Sequence, residues 1–477
     1  MLNKKVLVAA VIGGLFAGNA AAANLSVSPV VPAYFAKEII ATPAAPVTLT
    51  TSASSSTQLT WNIGYNFSQG EVRYVRVECS NNIAFDPATV VTLSDAAAGN
   101  IGAINGLGTN VLTFSITSVG GPANNVIGTD TVLLSGDHDI TGTDQNVNCS
   151  VGMYDQPSQA QAGGTPGLIA NTSFSGPYLV FAPSYELVAS ATTHTADVEA
   201  NPSFSRFLAD AYTTVTTASM GNGGSATSIA YRLRDPDGAG AQNAPFQING
   251  TEITLATLLA PTTSVVVAGD YTLAANATGA AYTGAALGRA QLNGANAATL
   301  SSTSAAFTVG STGFSAAEFD LTVNGSNQIQ VSDYVATLKA VSAAPTVYKV
   351  NDISGVKFGS IVRNGTELQA PLVQTPNGWI SRLVLTNTGS VARPYTISIM
   401  TETGVNATAG TVTGTIPAHG TKVIDDLKTV FTTDAAPRGT LNVNVAGPTG
   451  QIQGLYQIVN PDKGSISNHV LVRPGTN

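Results

Sequence analysis

The sequence predicts an all-β protein, built as two or three β-sandwich domains in series with very little helix. Three observations predict it. Short runs with apolar residues at every second position recur along the chain, the pattern of strands buried on one face. Gly, Pro and Asn clusters separate those runs at the spacing of antiparallel sandwiches. Finally, 477 residues exceed what a single small core organises.

Residues 1–22 read as a secretory signal peptide. Lys4 and Lys5 form its basic start, Val6 to Phe16 its apolar middle, and the small residues up to Ala22 and Ala23 its cleavage zone. The apolar run of about 11 residues is short of the roughly 20 a membrane-spanning helix needs. No later run is long and apolar enough to span as a helix, and no Cys follows the cleavage zone to carry a lipid. The expected product is secreted.

The first domain is placed at 23–190. Its firmest strand is QLTWNIGYNF, with Leu59, Trp61, Ile63, Tyr65 and Phe67 on one face, and NVLTFSITSV repeats the device with Leu112, Phe114 and Ile116. Val27 to Pro32 reads as an extended segment able to pair at a sheet edge. The two cysteines of the chain, Cys79 and Cys149, end or occupy strand-like runs. In an oxidising compartment a disulfide is expected, and neither a free-thiol pair nor a metal pair finds support, because no His or third Cys lies near them in sequence. The loop so closed is about 70 residues, worth about 4 kcal/mol on the chain-entropy account.

A middle domain is placed at 191–345. The residues NPSFSRFLADAYTTV put Phe204, Phe207, Leu208 and Ala211 at helical spacing behind a Ser203 cap, which predicts one helix. Asn249-Gly250 and Asn324-Gly325 predict tight hairpins, and Asn364-Gly365 repeats the form further on, because Asn-Gly accepts the positive φ such turns need. Residues 267–313, rich in Ala, Thr, Gly and Asn, read either as loosely patterned strands or as a long surface excursion.

The third domain is placed at 346–477. It alternates Leu383 and Leu385, then Tyr395, Ile397 and Ile399, then Leu441, Val443 and Val445, and DDLKTVF predicts one helical turn. In LVLTNTGSVARPYTISI and IPAHGTKVID, an Asn387-Thr388-Gly389 turn and a Pro417-Ala418-His419-Gly420 turn separate strands. This stretch resembles the bacterial immunoglobulin-like modules of exported proteins, which implies a sandwich and carries no chemistry.

Composition narrows function. Charged residues are 10% of the chain, where a typical soluble domain has about 25%. Mean hydropathy is +0.18, so low charge here does not signal disorder. The chain has 20 Lys and Arg; without Lys4 and Lys5 there remain 18 against 28 acidic residues, a net charge of −10. That balance argues against nucleic acid as a partner. No HExxH surrounds any of the four histidines, and neither a GxSxG elbow nor a phosphate-cradling GxxxxGK[ST] occurs. The chain is therefore read as a non-enzyme; a hydrolase would need a carboxylate cleft that sequence does not display.

Two acidic stretches are candidate calcium loops. SGDHDITGTDQN offers Asp137, Asp139, Asp144 and Asn146 as hard oxygen ligands, and RDPDGAGAQN offers Asp235, Asp237 and Asn243. The second departs from the EF-hand pattern, because Phe246 stands where its closing Glu belongs. Solvated turns are the competing reading of both, since turns use the same residues. Arg73 and Arg76 are read as the outer face of a strand.

The signal peptide, the acidic pI of 4.9, the scarcity of charge, Met and Cys, and the wealth of Ala, Thr, Gly and Asn together resemble bacterial surface-layer (S-layer) proteins. The resemblance implies self-assembly into a two-dimensional lattice on the cell exterior. It also implies non-covalent retention, with lipopolysaccharide or another envelope glycan as the anchor, and lattices supported by calcium. The physical case runs parallel: a surface poor in Lys and Glu loses little side-chain entropy, and desolvates little charge, when it packs on copies of itself. The alternative is an adhesin or fimbrial subunit that polymerises by strand exchange, with its mature N-terminal strand donated to a neighbour.

Overall fold

The computed structural model describes residues 23–473, apart from 51–56, 122–123, 199, 201, 203, 209–213, 221–228, 239–243 and 277–281. The described chain is nearly all β, as its alternation predicts. The expected signal peptide, with Ala22, lies outside the described residues, and Ala23 opens the strand Ala23–Asn24.

In the N-terminal region a six-stranded sheet faces a four-stranded and a three-stranded one. The six-stranded sheet runs Ala33–Ala36, Phe174–Ala182, Val147–Tyr154, Val72–Cys79, Val111–Ser118, Gly99–Ile101. Leu59, Trp61, Ile63 and Phe67 are all buried, as are Leu112, Phe114 and Ile116, so period-2 alternation located the inner faces of both sheets. Cys79 and Cys149 are direct cross-strand partners, 4.0 Å apart at Cα, and form a disulfide within the six-stranded sheet. Arg76 stands on the outer face as expected, whereas Arg73, three residues earlier in the same strand, shares the face of buried Val75 and Val77. Arg73 pairs with Glu71, and Arg76 pairs with Glu78 at 2.9 Å. Arg76 also donates to the Gln161 carbonyl at 2.8 Å, at the end of a short helix, Pro157–Ala162, which the sequence reading did not foresee. Six residues are too few to show a helical period.

The middle region is organised on an eight-stranded sheet. At its centre Ser332–Lys339 lies between Ser264–Ala268 and Ile353–Arg363. Where described, residues 267–313 are short strands, turns and two 3-10 helices, Thr272–Ala274 and Gly284–Arg289, closer to the first of the two readings: Ser304–Thr308 pairs with Ser264–Ala268, and Ala305 and Phe307 are buried. Aromatic rings supply the bulk that these Ala-rich strands lack. Phe319 sits 5.1 Å from Phe358, 5.9 Å from Phe307 and 5.9 Å from Tyr334, measured between ring centroids. The expected helix is not formed where the chain is described. Phe207–Leu208 is a strand paired with Thr192–Ala196, and Phe204 has a positive φ of 64° that breaks any helix. Ser203 and Ala211 lie outside the described residues.

The C-terminal region is a sandwich of two four-stranded sheets. One runs Thr366–Gln374, Arg438–Val445, Arg393–Met400, Thr413–Ile416, and the other Gly420–Ile424, Ile380–Asn387, Ile452–Asn460, Ser465–Val470. Leu383, Leu385, Tyr395, Ile397, Leu441, Val443 and Val445 are buried between them. The predicted helical turn is present as Leu427–Thr429, with the Asp426 carboxylate accepting from the Lys428 N–H at 2.9 Å.

Sheet pairing places the divisions of the chain differently from the expected 190/191 and 345/346. Tyr185–Val188 pairs with Ile229–Leu233, and Phe35 bridges to Phe246, so the first two regions share one continuous core. Ile353–Arg363 belongs to the middle sheet, and the separate C-terminal core begins with Leu368. The Asn-Gly turns differ too. Gly250 and Gly325 have φ of 74° and 77°, as the turns require. Yet Asn324-Gly325 is no hairpin, because Phe319–Thr322 and Ser332–Lys339 lie in different sheets. Asn364-Gly365 joins the middle sheet to the C-terminal sandwich, and the Asn364 side chain accepts from the Val198 N–H at 2.7 Å. Neither Asn364 nor Gly365 takes a positive φ, so the expected turn is absent there, while at Asn324-Gly325 the turn forms and the destination of the next strand is decided by where its apolar face finds cover.

Candidate functional surfaces

The first acidic stretch begins as a strand. His138–Ile140 lies between Val47–Leu49 and Ile83–Phe85, which sends alternate side chains to opposite faces. His138 points inward and is fully buried; Asp139 points outward, and its carboxylate accepts from Thr48 Oγ1 at 2.5 Å. Asp144 is exposed in the following loop, and Asn146 turns its Oδ1 to the Phe181 N–H at 3.1 Å. Asp139 and Asn146 are thus engaged by separate partners. In the second stretch Asp235 closes its own turn, accepting from the Gly238 N–H at 3.0 Å, and Asn243 lies outside the described residues. Among the described residues, no three of His, Cys, Asp and Glu come together in a way that could hold a metal.

His138, passed over in sequence, is a strongly perturbed titratable group of this region. Its Nε2 lies 2.5 Å from Tyr178 Oη, which donates to the Thr57 carbonyl at 2.8 Å, so the network assigns the imidazole proton to Nε2. The Phe85 ring packs edge-on at 5.4 Å. Burial lowers the imidazole pKa from 6.5 to about 4, against weaker opposing effects of the Thr57 and Asp137 backbone and of the Asp137 and Asp86 charges. A lone His in an acidic stretch carries no sequence signal that tells inward from outward.

Two surfaces remain as places of interaction. One is a cleft of about 960 Å³ where residues 37–42, 183–188 and 349–353 meet, with Asp144 and Arg234 on its wall. The other is the strand Ser465–Val470, an edge of its sheet in which all six residues are exposed, Ile466 by 60% and Val470 by 76%. The N-terminal segment, by contrast, is seated in its own fold. Ala23–Asn24 pairs in parallel with Leu59–Asn62, Ala33–Ala36 pairs in parallel with Phe174–Ala182, and Leu25 and Phe35 are buried. No described helix is long and apolar enough to cross a membrane.

No family model matches the chain, and no curated protein does. Among solved structures it is similar to a Corynebacterium diphtheriae protein whose name describes it as membrane anchored, with 8% identity over 92% of this chain and 88% of that one, at a TM-score of 0.21. It is also similar to domains D2 and D3 of the major pilin SpaD from the same organism, with 9% identity over 65% of this chain and 89% of that one and a TM-score of 0.15. A third is the pilus backbone protein RrgB of Streptococcus pneumoniae, with 8% identity over 87% and 84% and a TM-score of 0.14. None shares this chain's overall arrangement, and the reading of its role rests on its own residues.

Proposed function

We propose that this chain is a non-enzymatic, self-assembling protein of the bacterial cell exterior that forms a two-dimensional surface layer. The observation that carries the reading is the open edge at Ser465–Val470. Natural edge strands are guarded by charges, Pro or bulges, whereas SISNHV carries no Lys, Arg, Asp, Glu or Pro and presents Ile466 and Val470 to solvent. The opposite edge of the same sheet, Gly420–Ile424, does carry Lys422. An unguarded edge on a charge-poor chain suits pairing with a second copy, and a lattice would add further contacts of the same kind. Retention at the envelope is non-covalent in this reading, with lipopolysaccharide or another envelope glycan as the anchor.

The test is negative-stain microscopy of the mature protein beside the variant Ile466→Lys/Val470→Lys. Sheets from the parent and monodisperse particles from the variant are expected. Equal assembly by both would overturn the role of this edge, and a parent that stays monomeric in every condition would overturn the lattice.

A filament built by strand exchange is the second reading, and a separate observation favours it. The segment 23–36 makes its strand pairs in parallel, at the margins of its sheets, as an added strand would. Deleting residues 24–34 abolishes fibres under this reading, and leaves sheets intact under the first.

A further inference from the structure

We propose that the cleft between the N-terminal and middle regions binds an anionic saccharide, one bearing phosphate or carboxylate groups. In a chain with so few charges, seven line this one cleft, and their pairing is lopsided. Its acids are mostly engaged. Glu38 is buried and accepts from the Ser184 N–H at 3.0 Å and from the Ser184 hydroxyl at 2.7 Å. Glu186 pairs with Arg232 at 2.9 Å, and Asp352 pairs with Lys339 at 2.8 Å. Its bases are free: Lys37, Arg234 and Lys349 are exposed, and none has a side-chain partner among the described residues.

Three uncommitted cations around one concavity focus a positive field inside a protein of net negative charge. Arg232 and Lys339 offset Glu186 and Asp352, so three cations face two uncompensated acids, Glu38, held by neutral donors, and Asp144, the one unengaged acid on the wall. The volume of about 960 Å³ is that of a site for a ligand of several rings rather than for a single phosphate. Thr42 and Thr143 add hydroxyls to the lining, and Ile40 and Val188 add partly exposed apolar surface. Charge, hydroxyl and apolar patches together match an acidic sugar. The cleft belongs to the monomer, so this site is independent of the lattice reading.

The experiment is calorimetric titration of the mature full-length chain, as monomer and at low salt, with three probes. They are a bisphosphorylated glucosamine disaccharide, trigalacturonate and neutral maltotriose. At least one anionic probe is expected to bind, with affinity falling as salt rises, and maltotriose is not. Binding of the bisphosphorylated probe alone assigns a phosphate-bearing headgroup, and binding of trigalacturonate alone assigns a uronic acid. The variant Lys37→Ala/Arg234→Ala/Lys349→Ala should weaken binding by about tenfold or more. Asp144→Asn should tighten it, a change of opposite sign that loss of folding cannot mimic. If neither anionic probe binds, if maltotriose binds as well as they do, or if Lys349→Ala and Asp144→Asn both leave affinity unchanged, the proposal is wrong.

Discussion

His138 should make the N-terminal region sensitive to mild acid. The imidazole is fully buried against Phe85 and Tyr178, and its pKa is lowered to about 4 in the folded chain against 6.5 when exposed. Because the folded value is depressed, the unfolded chain binds the proton more readily. The contribution is complete above pH 6.5 and is lost as pH falls from there toward 4. The full difference corresponds to about 3 kcal/mol, of which about 2 kcal/mol is gone by pH 5. Trp61 is buried in the same core, so a Trp379→Phe background leaves it as the sole tryptophan and a local reporter of unfolding. Urea titrations at pH 7 and pH 5, in that background with and without His138→Gln, isolate the effect. Gln can still donate to Tyr178 Oη but does not titrate. Ionisable groups common to both proteins enter both titrations, so their share cancels in the comparison. The parent should lose about 2 kcal/mol more than the variant between the two pH values. Equal losses would refute the argument and mean that the ring takes its proton without unfolding the region.

Three further outcomes follow from particular contacts. Cys79→Ser/Cys149→Ser should lower the stability of the N-terminal region by about 4 kcal/mol in the same fluorescence assay, and reductant should do so in the parent but not in the variant. Phe319→Ala removes the ring that touches Phe307, Tyr334 and Phe358, and should destabilise the middle region by roughly 3–5 kcal/mol in calorimetry. Added Ca²⁺ should leave the melting temperature where it was, because Asp139 and Asn146 are engaged elsewhere. A rise on adding Ca²⁺ that Asp137→Asn/Asp144→Asn removes would restore the calcium loop.

By itself the sequence determined the local terms of this protein. Leu59, Trp61, Leu112, Phe114, Leu383 and Leu441 are buried because a strand sends alternate residues to one side, and that period needs no knowledge of the partner strand. The Asp426 turn and the positive φ of Gly250 are local in the same sense. What only the tertiary structure decided is pairing. Phe207 and Leu208 lie at helical spacing yet form a strand, because a partner at Thr192–Ala196 stands ready. Asn324-Gly325 turns as expected but leads into another sheet, and Asn364-Gly365 passes between sheets without a positive φ. The cleft was illegible for the same reason. Lys37, Arg234 and Lys349 are far apart in sequence, and only the crossing of the 37–42, 183–188 and 349–353 segments brings their charges together, while Ser184, Arg232 and Lys339 satisfy the acids beside them. Alternation and turn chemistry act over a few residues; sheet order and charge pairing act across hundreds, and are settled by which apolar faces cover one another.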